Sequence, residues 1–121
     1  MPVVELTVVG GEDDPTLAQR VADAVGEALS AAPGRAWLTL RRAQASDYAE
    51  NASSLEGAPP AFVTVTLREL PDARERAATA SSLAMAVGAA LGRPPERVHV
   101  FFTAEAAGRV AVGGAMVEAE R

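Results

Sequence analysis

Two stretches of this chain repeat each other at a fixed spacing of sixty-two residues. Ala24-Val25-Gly26-Glu27-Ala28-Leu29 falls on Ala86-Val87-Gly88-Ala89-Ala90-Leu91 without a gap. Pro33 then falls on Pro95, Arg35 on Arg97, Trp37 on His99 and Leu38 on Val100. A composition rich in alanine, valine and glycine inflates such matches. The matched blocks nevertheless hold the same place in the same strand–helix–strand order, so the chain reads as one supersecondary unit used twice.

The first unit covers about residues 2–42. Val3 to Val9 is β-branched and loosely alternating, which predicts a strand. Gly10 to Pro15 is a turn carrying acids toward a helix start. Leu17, Val21, Ala24, Val25, Ala28 and Leu29 recur at helical spacing, so Pro15 to about Ala31 is predicted as an amphipathic helix. Ala36 to Arg42 is a second strand. The stretch from about 43 to 60 is a long linking loop with a short helical turn near Ser46 to Glu50; loops of this length are usually functional or mobile. The second unit, about 61–121, repeats the order: a strand at Ala61 to Leu67, a helix at Pro71 to about Leu91, and a strand at Arg97 to Thr103. The tail Gly108 to Arg121, with Gly113-Gly114, predicts a short hairpin or edge strand.

A chain of 121 residues supports one domain with a real core. A βαβ unit sets two parallel strands side by side with its helix across one face. Two such units give an α+β fold: a four-stranded mixed sheet with both helices on one side. The helices then cover Leu6, Val8, Leu38, Leu40, Val63, Val65, Val100 and Phe102. The other face carries Glu5, Thr7, Thr39, Arg41, Thr64, Thr66, His99 and Phe101, a mixture suited to a subunit interface or channel. The same element order also occurs in ferredoxin-like domains. Strand pairing separates the two folds, because the first two strands are neighbours only in the tandem arrangement.

Composition removes several chemistries. Cysteine is absent and there is one histidine, which excludes disulfides, thiolate catalysis and a His-rich metal site. All 11 basic residues are arginine, so no lysine Schiff base is available; this usage fits a GC-rich, bacterial genome. The net charge of −5 argues against nucleic acid as a partner. No apolar run is long enough to span a membrane, and the Met1-Pro2-Val3-Val4-Glu5 start does not read as a signal peptide. The expected location is the cytoplasm.

A proline directly after Met1, a strand–helix–strand order and a Gly-Gly tail together resemble the tautomerase superfamily. The segment Leu91-Gly92-Arg93-Pro94-Pro95-Glu96-Arg97-Val98-His99-Val100-Phe101-Phe102-Thr103, continuing through Gly108-Arg109-Val110-Ala111-Val112-Gly113-Gly114, resembles the second strand and closing hairpin of 4-oxalocrotonate tautomerase. Pro94 to Val100 also resembles the matching strand of macrophage migration inhibitory factor, a tandem βαβ chain. The resemblance implies a homotrimer with sites between neighbouring subunits. It implies a cofactor-free isomerisation of a 2-oxo or 2-hydroxy-unsaturated carboxylic acid, with Pro2 as the base once Met1 is removed. Two departures stand out. The strand position of a substrate-binding arginine holds His99, and the aromatic position of the hairpin holds Val110.

A terminal proline is a secondary amine, somewhat more basic than the α-amino value of about 8. Burial and nearby cations lower it toward the working pH, where a general base is most effective. The alternative is that Pro2 only begins a strand. His99 is a candidate donor to a developing enolate, or a channel-facing histidine without a chemical role. Trp37, Phe101 and Val110 are candidate walls. Arg41, Arg68 and Arg109 are candidates to grip a carboxylate, and Tyr48 and Asn51 lie on the loop that folds over a site. Other readings keep the fold without catalysis, as a ligand-binding or structural trimer, or keep the amine for hydration or dehalogenation of unsaturated acids.

Overall fold

The computed structural model describes residues 1–120; Arg121, the end of the predicted tail, lies outside the described residues. The elements run β1 (Val3–Val9), α1 (Leu17–Ala28), β2 (Trp37–Ala43), β3 (Ala61–Thr66), α2 (Ala73–Leu91), β4 (Val98–Phe102) and a hairpin of β5 (Ala111–Val112) and β6 (Ala115–Met116). Single 3₁₀ turns sit at Ala45–Asp47 and Pro95–Arg97.

The main sheet has the order β2-β1-β3-β4. β1 pairs with β2 in parallel, β3 with β4 in parallel, and β1 with β3 antiparallel. The first two strands are therefore neighbours, which excludes the ferredoxin-like alternative. Val3 pairs with Trp37 and Phe62 with His99, so the opening strands correspond at a spacing of fifty-nine. The spacing of sixty-two holds for the helices and closing strands alone. The counterpart of Pro2 in the second unit is thus Ala61, a residue in mid-chain.

Alternation decides the layering. Val4, Leu6, Val8, Ala61, Val63 and Val65 are all at most 1% exposed and meet Leu17, Val21, Val25, Leu83 and Val87 of the two helices. Each such Val or Leu contributes about 1.5–3 kcal/mol by leaving water. No polar or charged residue is buried among the described residues. Glu5, Thr39, Arg41, His99 and Phe101 point to the open face and are exposed.

Local chemistry trims the predicted helices. α1 starts two residues later than Pro15, because Asp14 accepts from the backbone N and hydroxyl of Thr16 and so makes a turn first. Those bonds, with Arg20, hold the Asp14 carboxyl at about 2. α1 stops at Ala28, and Ser30 turns left-handed with φ 53°. α2 begins after Asp72, whose carboxylate accepts from the Glu75 backbone N at 2.9 Å as an N-cap. It ends at Gly92 with φ 68°, the left-handed cap that glycine adopts freely. Beyond it, Arg93 donates to the carbonyls of Val9, Pro59 and Pro60, tying the end of the linking loop to the end of β1. Among the described residues no helix is long and apolar enough to cross a membrane.

Candidate active site

β1 and β3 run in opposite directions, so the amino end of β1 lies beside the carboxyl end of β3. Pro2 is buried there, and its carbonyl accepts from the backbone N of Trp37 at 3.0 Å. A cavity of about 340 Å³ opens around Met1, walled by Arg35, Trp37, Arg68, Met116 and Val117. The indole is fixed by its Nε1 donating to the Gly34 carbonyl at 3.0 Å. The terminal amine, on Met1, is held below its ordinary value, first by burial and then by the charges of Arg35 and Arg68. Among the described residues Arg35 forms no ion pair. The end of β1 therefore offers an amine of lowered basicity, two cations and an aromatic wall within one cavity.

The opposite end of the sheet is built differently. Phe62 stands between Tyr48, His99 and Phe101, with ring centroids 6.0, 5.4 and 6.4 Å away. Tyr48 donates its hydroxyl to Glu50 Oε2 at 2.7 Å, and Arg97 Nη2 reaches the same oxygen at 3.5 Å. Arg97 Nε also donates to the Ala58 carbonyl at 2.7 Å. The hydrogen bond to Glu50 pushes the Tyr48 hydroxyl above its ordinary value.

The sequence-predicted residues divide between these ends. Pro2, Trp37 and Arg68 come together. His99 and Tyr48 gather at the far end, because Arg41, Thr7, Phe62 and His99 form one row across the sheet, while Phe101 lies in a middle row with Thr64, Glu5 and Thr39. Thr7 is five residues from Pro2, which is roughly 16 Å along the strand. Within one protomer His99 therefore does not join Pro2, and the loop bearing Tyr48 covers the His99 end. Arg41 is exposed in that same row, and Asn51 is exposed on a turn of the loop. Arg109 and Val110 sit at the base of the hairpin, where Val110 donates to the Ala106 carbonyl. Val112, not Val110, is the hairpin valine that lines the Met1 cavity. Sequence reasoning missed Arg35 and Glu50 as site residues. The match of Arg35 to Arg97, each two residues before Trp37 or His99, was the available signal for the first; nothing in the sequence announces Glu50.

Solved structures with the same arrangement include a fused 4-OT, described as a wild-type symmetric trimer. It has a TM-score of 0.75 and 22% identity over 95% of this chain and 94% of that one. The chain has the tautomerase-superfamily fold. Malonate semialdehyde decarboxylase matches at TM-score 0.67 and 14% identity, over 92% of this chain and 90% of its own. The macrophage migration inhibitory factor of Trichinella spiralis matches at 0.71 and 16%, over 94% and 98%. No family model matches the sequence, and no curated protein matches it. The tautomerase fold is thus carried here by the strand order and the repeat, at identities that fix architecture only.

Proposed function

We propose that this tautomerase-fold chain is a cofactor-independent isomerase that moves a proton on a 2-oxo or 2-hydroxy-unsaturated carboxylic acid. In this reading Met1 is removed and the Pro2 nitrogen is the base. The observation that carries it is the cavity at the amino end of β1, where burial, Arg35 and Arg68 already lower the terminal amine. The same surroundings act on the Pro2 amine once it is terminal. The amine takes a proton from the enol oxygen and returns it to the far carbon of the conjugated system. An arginine holds the carboxylate and stabilises charge that develops on oxygen, while Trp37 packs against the flat chain of the acid. The working unit is a homotrimer, as in the fused 4-OT described as a symmetric trimer.

The likeness to malonate semialdehyde decarboxylase, described with decarboxylase and hydratase activities, favours a second use of the same group. There a protonated Pro2 assists addition of water to an unsaturated acid. The two differ in pH dependence. A base gains activity as pH rises through the amine value, and an acid loses it.

The deciding experiment is the intact mass of untagged protein, followed by enol-substrate assays on the wild type and Pro2→Ala. A mass lacking methionine with Pro2-dependent turnover supports the proposal. Retained methionine makes the Pro2 nitrogen an amide, removes the base, and leaves a ligand-binding or structural trimer.

A further inference from the structure

We infer that the second repeat carries a carboxylate-binding site built like the one at the Pro2 end, and that Glu50 occupies it as an internal ligand. Arg97 is the repeat counterpart of Arg35, and His99 the counterpart of Trp37. At each end of the sheet the arginine therefore precedes by two residues a ring on the open face. The segment that follows each closing strand folds back over the same end. After β4 that segment brings Met116, Val117 and Glu118 to the cavity holding Arg35, and among the described residues no ion pair forms with that arginine. After β2 it delivers a carboxylate: Glu50 Oε2 lies 3.5 Å from Arg97 Nη2 and accepts the Tyr48 hydroxyl at 2.7 Å.

Glu50 belongs to neither repeat. It comes from the linking loop, 47 residues from Arg97 in sequence, and meets the arginine as a separate molecule would. The pair is partly shielded, with side chains 25% and 34% exposed, so the contact is neither a solvated surface pair nor part of the core. Phe62 and His99 supply flat rings beside it. A small carboxylate on an unsaturated or aromatic group matches these surroundings once Glu50 is displaced. In the unchanged chain such a ligand competes with a tethered carboxylate, whose effective concentration is on the order of millimolar.

This inference shares with the proposed function only the reading of an arginine at the Pro2 end as a carboxylate anchor. The chain has one tryptophan and one tyrosine, so each end has its own reporter: Trp37 at the Pro2 end and Tyr48 at the Arg97 end. Benzoate is titrated into full-length protein labelled with ¹³C-tyrosine, and Trp37 fluorescence is read on the same samples. In the unchanged protein Trp37 responds while the Tyr48 ring signals stay still. In Glu50→Ala the Tyr48 signals move, with affinity tighter by about tenfold or more, and Trp37 responds as before. Glu50→Gln, which keeps the volume and removes the charge, guards against loss of the loop fold and also admits benzoate. Adding Arg97→Ala to Glu50→Ala silences Tyr48 again. The inference is overturned if Tyr48 stays silent in both Glu50 variants, or if it responds equally in the unchanged protein. Silence of Trp37 alone counts against the Pro2 end and leaves the second site standing.

Discussion

The two repeats share a frame and end in opposite chemistry. The first opens at Met1-Pro2, and its arginine, Arg35, faces a cavity of about 340 Å³. The second opens with Ala61 in mid-chain, and its arginine, Arg97, is held by Glu50 and the Ala58 carbonyl. The two helices bury apolar side chains at matching positions, Val21 with Leu83 and Val25 with Val87. The two repeats therefore share their packing, while the base of the proposed function, Pro2, has Ala61 as its counterpart at the other end.

The largest expected effect tests that asymmetry directly. Pro2→Ala lowers kcat/KM for isomerisation by about 10²–10⁴-fold, the usual share of a positioned general base; steady-state assays on methionine-free enzyme measure it. A rate unchanged by the substitution would mean that the reacting group lies elsewhere.

Packing is where the repeats should agree. Val25 and Val87 are 1% and 0% exposed at matching positions. Truncating either to alanine is expected to cost about 2 kcal/mol, read from urea midpoints, and the two costs should match closely.

Glycine is where they should part. A Cβ on Gly88 stands 2.7 Å from the Arg93 carbonyl oxygen, while one on Gly26 stands 3.8 Å from the Ala36 methyl group. Gly88→Ala must push backbone aside and costs about 1–3 kcal/mol. Gly26→Ala meets ordinary contact and gains up to about 1 kcal/mol from helix propensity. Thermal unfolding of the pair sharpens the comparison to a difference in sign.

The smallest effect is electrostatic. Arg35 and Arg68 each disfavour the protonated amine, so removing either raises its pKa. If the amine acts as base, the acid limb of the pH–rate profile then moves to higher pH in Arg35→Ala and in Arg68→Ala. It stays in place in Arg97→Ala, whose charge sits at the other end of the sheet.

Much of this architecture is legible in the sequence. Alternation in Val3 to Val9 and Ala61 to Thr66 named the buried face, and the spacing of Leu17, Val21 and Val25 named the helix stripe. Gly92 and the prolines after it marked where α2 stops. The site was legible in fragments. Pro2, Trp37 and Arg68 were visible as residue types with suitable chemistry, but their company was not. His99 stands where the resemblance implies an arginine of a site shared between subunits, and the antiparallel β1–β3 pairing carries it to the end of the sheet opposite its own Pro2. The loop was recognised as long, yet nothing local says that Glu50 would seat on a residue 47 positions away.

Periodicity and repetition, which are local, thus determined the elements, their faces and the twofold use of one unit. They act through burial of side chains a few residues apart, so sequence alone carries them. Register, the fifty-nine against sixty-two offset and the pairing of charges across the sheet were decided only in three dimensions. Those features depend on which strand edges meet and on where a flexible loop finds its partner, and no short stretch of chain encodes that meeting.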